Sequence, residues 1–155
     1  YRSLPTNLRE GQHLIFVNGL EFPAMYSAML PIVREDDVHP PVAILSASPD
    51  ATLTVTGSHE LDIDMPQGWF TQMMLFGPTK AFAVGDRIKR PGFEAIVQAV
   101  NAEHEPTRVR FVFEESIDGD RYRWMKWVGN RYEEIERSSL SKEPLYIPSP
   151  LPFDP

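Results

Sequence analysis

Cysteine is absent from this chain of 155 residues. The chain therefore has no disulfide framework, no thiolate metal site and no thiol nucleophile. Positive charge is also scarce, because 15 lysine and arginine residues face 22 aspartate and glutamate residues and leave a net charge of −7. A phosphate backbone would be repelled on average, so we do not expect nucleic acid as a partner.

Long apolar runs are absent as well. No run reaches the roughly 18–20 residues that a helix needs to span a bilayer, and no signal peptide is visible. The sequence begins at Tyr1 rather than at Met, which favours a domain excised from a longer protein whose targeting and membrane segments lie upstream. The length predicts one domain that buries roughly 68–70% of its unfolded surface.

The start of the chain predicts a strand, a helix and a strand. Residues 12–17 are a short apolar run typical of a buried strand. Residues 21–33 predict a helix, because their methionines and an isoleucine recur at helical spacing on one face. Residues 42–45 predict the second strand, and a parallel pairing of the two strands would require a right-handed crossover.

The region that follows predicts a β-hairpin. A three-residue loop at residues 57–59 would pair Val55 with Leu61 and Leu53 with Ile63, which places the apolar side chains on one face. A two-residue loop would set Leu53 opposite an aspartate, so the longer loop is favoured.

Further strands are predicted for residues 73–76, 93–100 and 108–114. Pro91-Gly92 carries the signature of a type II turn before the second of these strands. Four arginines of this part of the chain are expected on a solvated face or in cross-strand ion pairs. They are Arg108, Arg110, Arg121 and Arg123.

The last predicted hairpin turns at Gly129-Asn130. A two-residue loop would set two apolar pairs and two oppositely charged pairs across the hairpin, each contributing roughly 0.2–1 kcal/mol. The pairs are Trp127 with Tyr132, Trp124 with Ile135, Lys126 with Glu133, and Arg123 with Glu136. This register places aromatic rings on both faces, so either both faces are covered or one is a binding surface.

We therefore predict an α+β fold that is mostly β, with the strand–helix–strand opening beside a bent antiparallel sheet or partly open barrel of six to seven strands. Residues 1–137 would form a single β-rich globular domain. Residues 138–155 are rich in proline and would form an extended tail that cannot join a central strand.

One set of aromatic residues could form a stacking platform for a sugar or a peptide, or a surface for a partner. The set is Trp69, Phe70, Tyr122, Trp124, Trp127 and Tyr132. Filling of the core is the simpler interpretation and is favoured for these rings.

A run of acidic residues offers weak candidates for metal ligands. Strand alternation puts Glu60, Asp62 and Asp64 on one face beside His59, where oxygen ligands could suit a hard cation. A solvated strand face is the favoured interpretation, because no loop with calcium-binding spacing is present. We predict no metal and no cofactor.

Catalytic signatures are weak. The four histidines are scattered and lack the spacing of a helical metal site. No Gly-x-Ser-x-Gly elbow surrounds Ser27, Ser46 or Ser48, although a Ser-His-Asp site can assemble from distant residues. We predict no catalytic residue and keep a hydrolase of this kind as an alternative.

Five motifs follow one another along the chain. They are Gln12-His13-Leu14-Ile15-Phe16-Val17-Asn18, Val84-Gly85-Asp86-Arg87-Ile88, Pro91-Gly92, Glu105-Pro106-Thr107-Arg108-Val109-Arg110-Phe111-Val112-Phe113 and Arg123-Trp124-Met125-Lys126-Trp127. Together they resemble the C-terminal region of some bacterial multipass membrane proteins of unknown function. The resemblance covers most of the chain and implies an extramembrane domain tethered to a bilayer. It supplies no activity and no catalytic residues.

The sequence thus predicts a non-catalytic interaction or ligand-binding domain of a larger, membrane-anchored bacterial protein. A carbohydrate-binding β domain is a second alternative beside the hydrolase. The expected partner is another protein or the membrane part of the parent chain, and self-association through a sheet edge or the C-terminal tail is a further option.

Overall fold

The computed structural model describes residues 5, 7–18, 42–46, 50–68, 81–128 and 131–148. These residues form ten strands and one short 3-10 turn, Arg137–Ser139. The strands are β1 (His13–Phe16), β2 (Val42–Ile44), β3 (Ala51–Val55), β4 (Glu60–Asp64), β5 (Arg87–Arg90), β6 (Phe93–Val100), β7 (Pro106–Phe113), β8 (Tyr122–Val128), β9 (Arg131–Glu134) and β10 (Leu145–Ile147).

Six strands form an antiparallel sheet in the order β10-β3-β4-β7-β6-β5. The β3–β4 hairpin has the predicted register, with Val55 opposite Leu61 and Leu53 opposite Ile63. Apolar residues of β3 and β4 therefore share one face, as a half-buried antiparallel sheet requires.

The hairpin of β5 and β6 turns at Pro91-Gly92, between the paired residues Arg90 and Phe93. Gly92 has a φ of +87°, which a type II turn demands at its third position and which a side chain would strain. The carbonyl oxygen of Gly92 accepts a hydrogen bond of 3.1 Å from the backbone N–H of Glu114, just after β7. This hydrogen bond holds the β5–β6 turn against the end of β7, the strand that pairs with β6 on its other side.

Four strands form a second sheet in the order β2-β1-β8-β9. Strand β1 runs parallel to both β2 and β8, and β9 is antiparallel to β8. The first two strands are therefore parallel, which is the pairing for which the sequence predicts a right-handed crossover between them. The predicted helix of residues 21–33 lies outside the described residues, as does the predicted strand of residues 73–76. The described residues contain no helix of seven or more residues.

The last hairpin keeps most of its predicted register. Trp127 lies opposite Tyr132, and Lys126 lies opposite Glu133. The predicted pairing of Trp124 with Ile135 is supported by a backbone hydrogen bond of 2.7 Å from the N–H of Ile135 to the carbonyl oxygen of Trp124.

The predicted ion pair between Arg123 and Glu136 is wrong. Arg123 instead holds Glu134, with Nε and Nη2 lying 2.5 and 2.7 Å from the two carboxylate oxygens. Strand β9 ends at Glu134, so residue 136 has already left the ladder. Arg123 therefore reaches the diagonal neighbour on its own face of the sheet.

The inner faces of the two sheets pack on each other and form the main core. Ile15 and Trp124 of the four-stranded sheet belong to the same cluster as Leu53, Leu61 and Phe111 of the six-stranded sheet. The predicted β-rich class is confirmed, but the strands form two sheets that do not close into a barrel. The strands therefore form open sheets, one of which is antiparallel with six strands, as in the first of the two predicted arrangements.

The Pro-rich C-terminal segment contributes to the folded unit. Strand β10 pairs antiparallel with β3 at the edge of the six-stranded sheet, and Ile147 is fully buried in the main core. An edge position suits a segment rich in proline, because proline lacks the backbone N–H that a central strand donates to its neighbours. Within the described residues, no helix is long and apolar enough to cross a membrane.

Candidate functional site

The predicted aromatic set does not form one surface. Tyr122, Trp124 and Tyr132 are only 2%, 1% and 4% exposed, whereas Trp127 is part-exposed. Trp69 and Phe70 lie outside the described residues. Among the described members of this set, only the ring of Trp127 is therefore accessible.

Tyr122 and Trp124 belong to the core between the sheets. The indole Nε1 of Trp124 donates a hydrogen bond of 3.2 Å to the carbonyl oxygen of Ile117. The ring of Phe113 meets both side chains edge-on, at centroid distances of 5.0 Å for Tyr122 and 5.2 Å for Trp124. Core filling therefore accounts for these two residues.

Trp127 and Tyr132 lie on the opposite, outer face of the four-stranded sheet. We define the aromatic face by the apolar strand residues that cluster there, which are Leu14, Phe16, Val42, Ile44, Met125, Trp127 and Tyr132. Leu8, which precedes β1, packs against them. The ring of Tyr132 lies between two other rings, with centroid distances of 4.7 Å to Phe16 and 4.8 Å to Trp127. Both pairs are edge-to-face, with interplanar angles of 72° and 77°, so these rings do not form a coplanar platform for a sugar.

Burial makes the aromatic face a strongly apolar environment. Phe16 and Met125 are fully buried, and burial raises the pKa of the Tyr132 phenol to about 12. The phenol is therefore neutral at every physiological pH, because burial penalises the phenolate. Val42, Ile44 and Trp127 are the part-exposed members of the face.

An ion pair borders the aromatic face. Arg123 and Glu134 lie on the same side of the sheet as Met125 and Tyr132, respectively, and their bidentate contact raises the pKa of the Arg123 guanidinium. Asn7 adds a further hydrogen bond, with its Oδ1 3.4 Å from Nη2 of Arg123. The apolar patch thus has a polar rim at this end.

The acidic row of β4 faces arginines of β7. Asp62 accepts two hydrogen bonds from Arg110, at 2.8 and 3.1 Å, and Asp64 accepts one from Arg108, at 2.6 Å. Each aspartate lies directly opposite its arginine in the register, which confirms the expected cross-strand ion pairs for these two arginines. The hydrogen bonds that Asp62 and Asp64 accept raise the pKa of the Arg110 and Arg108 guanidinium groups, respectively.

The other weak metal candidates lie at the start of the same strand. Oε2 of Glu60 lies 3.5 Å from the hydroxyl of Thr56, and the Nδ1 atom of His59 lies 2.9 Å from Oγ of Ser58 in an exposed loop. In the described part of the chain, no group of three or more His, Asp or Glu side chains is placed to hold a metal ion.

Ser46 is the candidate serine of the hydrolase alternative that lies within the described residues. Ser46 is fully buried just after β2, and its hydroxyl donates to the carbonyl oxygen of Val17 at 3.0 Å or to Oδ1 of Asn18 at 2.9 Å. These contacts tie the ends of β1 and β2 together and give Ser46 a structural part. Ser27 and Ser48 lie outside the described residues.

Sequence reasoning missed most members of the aromatic face. Leu14, Phe16 and Met125 were not considered as part of any surface, yet they form its buried centre. A signal was present, because the continuous apolar run of residues 12–17 differs from the alternation of a half-buried strand and is typical of a strand covered on both faces.

Comparison of the chain with models of protein families, with curated proteins and with solved structures gave no match. The fold and the described side chains define it as a two-sheet β domain in which one outer face is polar and the other is apolar.

Proposed function

We propose that this chain is a non-catalytic interaction domain of a larger, membrane-anchored bacterial protein, and that the aromatic face receives its partner. The partner is another protein or a further part of the parent chain. The observation that carries this proposal is the second apolar cluster on the side of the four-stranded sheet that faces away from the main core.

The composition of the aromatic face supports a protein partner. Aromatic side chains are enriched at the centres of protein interfaces, and a polar rim surrounds such centres. Trp127, Val42 and Ile44 supply part-exposed apolar surface, and the Arg123–Glu134 ion pair supplies a rim. An apolar patch with a polar border is the pattern expected of a contact surface.

Strand β5, at one end of the six-stranded sheet, is a poorer docking position. Arg87, Lys89 and Arg90 are all exposed on this strand. Antiparallel pairing of two copies along this edge would bring like charges opposite each other, which is destabilising. Cationic side chains at a sheet edge are a common means of preventing such pairing.

Site-specific photo-crosslinking in the full-length parent protein, in its own membranes, tests the proposal. A photoreactive phenylalanine analogue replaces Trp127 in one variant and Tyr146 in the control variant. Tyr146 is a suitable control because it is also aromatic, is 60% exposed and lies on β10 of the other sheet. We expect a defined crosslinked product from position 127 and none from position 146.

Two results would contradict the proposal in different ways. Absence of a crosslink from position 127 would rule out the aromatic face as the contact surface. A parent sequence without apolar segments of about 20 residues would instead refute the membrane anchor, while leaving the interaction surface open to the crosslinking result.

A further inference from the structure

The side chain of His13 lies at a junction between the two sheets. His13 is the first residue of β1 and shares its face with Ile15, which belongs to the main core. Its ring meets that of Tyr122 edge-on, with the centroids 5.9 Å apart and an interplanar angle of 87°. The four-stranded sheet thus presents an imidazole at this end of its inner face.

The other side of the imidazole meets the turn between β5 and β6. A methyl group on the Cα of Gly92 would lie 3.3 Å from Cε1 and 3.4 Å from Nδ1 of His13. The carbonyl oxygen of Gly92 in this turn accepts a hydrogen bond from the N–H of Glu114. The hydroxyl of Tyr122 lies 3.5 Å from the same oxygen. His13 is therefore wedged between a strand of one sheet and a turn of the other.

Charged and titratable groups approach His13 from each sheet. Tyr122 begins β8 and Arg121 precedes it, whereas Glu114 follows the end of β7. Glu115 adds a backbone N–H that donates to the Tyr122 hydroxyl at 3.2 Å. Within the described residues, neither ring nitrogen of His13 has a hydrogen-bonding partner, so an added proton would meet Arg121 without a bonded acceptor to offset it.

We propose that His13 is a pH-sensitive wedge between the two sheets and that its protonation loosens the contact between β1 and the Pro91-Gly92 turn. The uncharged ring fits the apolar contact with Tyr122 and the close approach to Gly92. The imidazolium is more strongly hydrated than the neutral ring, and it gains that hydration by moving away from the turn.

The direction of the pH effect follows from linkage. Burial, and to a smaller extent Arg121, lower the pKa of His13 from its ordinary value of 6.5, and Glu114 opposes this change. As the pH falls, the unfolded chain therefore takes up the proton before the folded chain does. The stabilisation is present above about pH 6.5 and is lost as the pH falls below that value.

Unfolding of the wild-type chain and of His13→Phe by denaturant between pH 7 and pH 5 tests the wedge. Phenylalanine retains an aromatic ring at the junction but cannot titrate. We expect the ratio of unfolded to folded molecules to rise more steeply with acidity in the wild type, by at most about tenfold per pH unit for one proton. His59→Gln, in the exposed β3–β4 loop, is the matched control for removal of a histidine away from the junction. Equal pH dependence in the wild type and His13→Phe would overturn the proposal.

Measurements on the unmodified chain give a second test that does not depend on a variant folding. The NMR signal of the His13 ring should titrate below pH 6.5, and the amide of Glu114, which bonds to Gly92, should lose protection from hydrogen exchange over the same pH range. A His13 titration at or above pH 6.5, or a Glu114 amide whose protection does not follow it, would show that the ring is not a pH-sensitive wedge.

Discussion

The two sheets differ most in the faces that they turn away from each other. On the six-stranded sheet this face carries Asp62, Asp64 and their arginine partners on β7. On the four-stranded sheet it carries Phe16 and Met125, both fully buried. One sheet therefore has the usual division into an apolar and a polar face, whereas the other is apolar on both sides.

Strand direction explains this difference. The six-stranded sheet is antiparallel throughout, and such sheets commonly have one face in water. In the four-stranded sheet β1 lies between two parallel neighbours, and parallel sheets are covered on both faces. The apolar outer face, where we propose the contact surface, thus belongs to the sheet that contains the parallel strands.

The largest expected effect concerns the aromatic face. Phe16→Ala should lower the free energy of unfolding by about 3–5 kcal/mol, because it leaves a cavity beside Tyr132 and removes a buried ring. Thr54→Val, on the outer face of the six-stranded sheet, keeps the β-branched shape and should change it by less than about 0.5 kcal/mol. Chemical denaturation measures both changes. Similar small losses of unfolding free energy in the two variants would show that the two outer faces do not differ in their contribution to stability.

An intermediate effect concerns the two ion pairs of the polar face. Asp62→Asn should cost about 1–3 kcal/mol, because the Asp62 side chain is 12% exposed and its loss leaves a part-buried guanidinium without its carboxylate. Asp64→Asn should cost about 0.2–1 kcal/mol, because that side chain is 34% exposed and faces Arg108 in water.

Denaturation at low and high salt separates the two pairs further. Screening should reduce the effect of Asp64→Asn more than that of Asp62→Asn, because exposed charges are screened more strongly. If Asp62→Asn and Asp64→Asn lose the same unfolding free energy at both salt concentrations, the two ion pairs do not differ in how far they are shielded from solvent.

The last prediction concerns a small difference between two glycine substitutions, one of them at the junction of the sheets. Gly85 and Gly92 have similar backbone angles, with φ of +91° and +87°, so alanine at either position should cost about 1–2 kcal/mol in strain. The methyl added at Gly92 would touch His13, whereas at Gly85 no side chain or backbone atom of the described residues, chain neighbours apart, lies within 4 Å of that position.

Gly92→Ala should therefore cost about 0.5 kcal/mol more than Gly85→Ala, and this excess should vanish in a His13→Ala background. The double-mutant cycle isolates the contact between the sheets from backbone strain. An excess that persists without the imidazole would have another origin.

Local pairings were accessible from the sequence. The β3–β4 register and the opposition of Trp127 and Tyr132 were predicted correctly, because period-two alternation and turn length act over a few residues. The ion pair of Arg123 was assigned to the wrong glutamate, because the register alone does not show where β9 ends.

The candidate site was less accessible. The sequence showed that rings lie on both faces of the last hairpin, but not that Trp124 faces the core and Tyr132 faces outward. That distinction depends on β8 pairing with β1, more than a hundred residues earlier in the chain. No local pattern records such a contact.

Local sequence pattern was sufficient to predict a mostly β chain, the positions of its hairpin turns and the side chains that share a face. Each of these depends on alternation, glycine and proline, whose effects extend over a few neighbouring residues. The tertiary structure alone decided that the strands divide into two sheets, that β1 separates β2 from β8, and that the imidazole of His13 meets Gly92. These features arise from contacts between distant segments, which form where the burial of apolar surface outweighs the entropy of closing the loops between them.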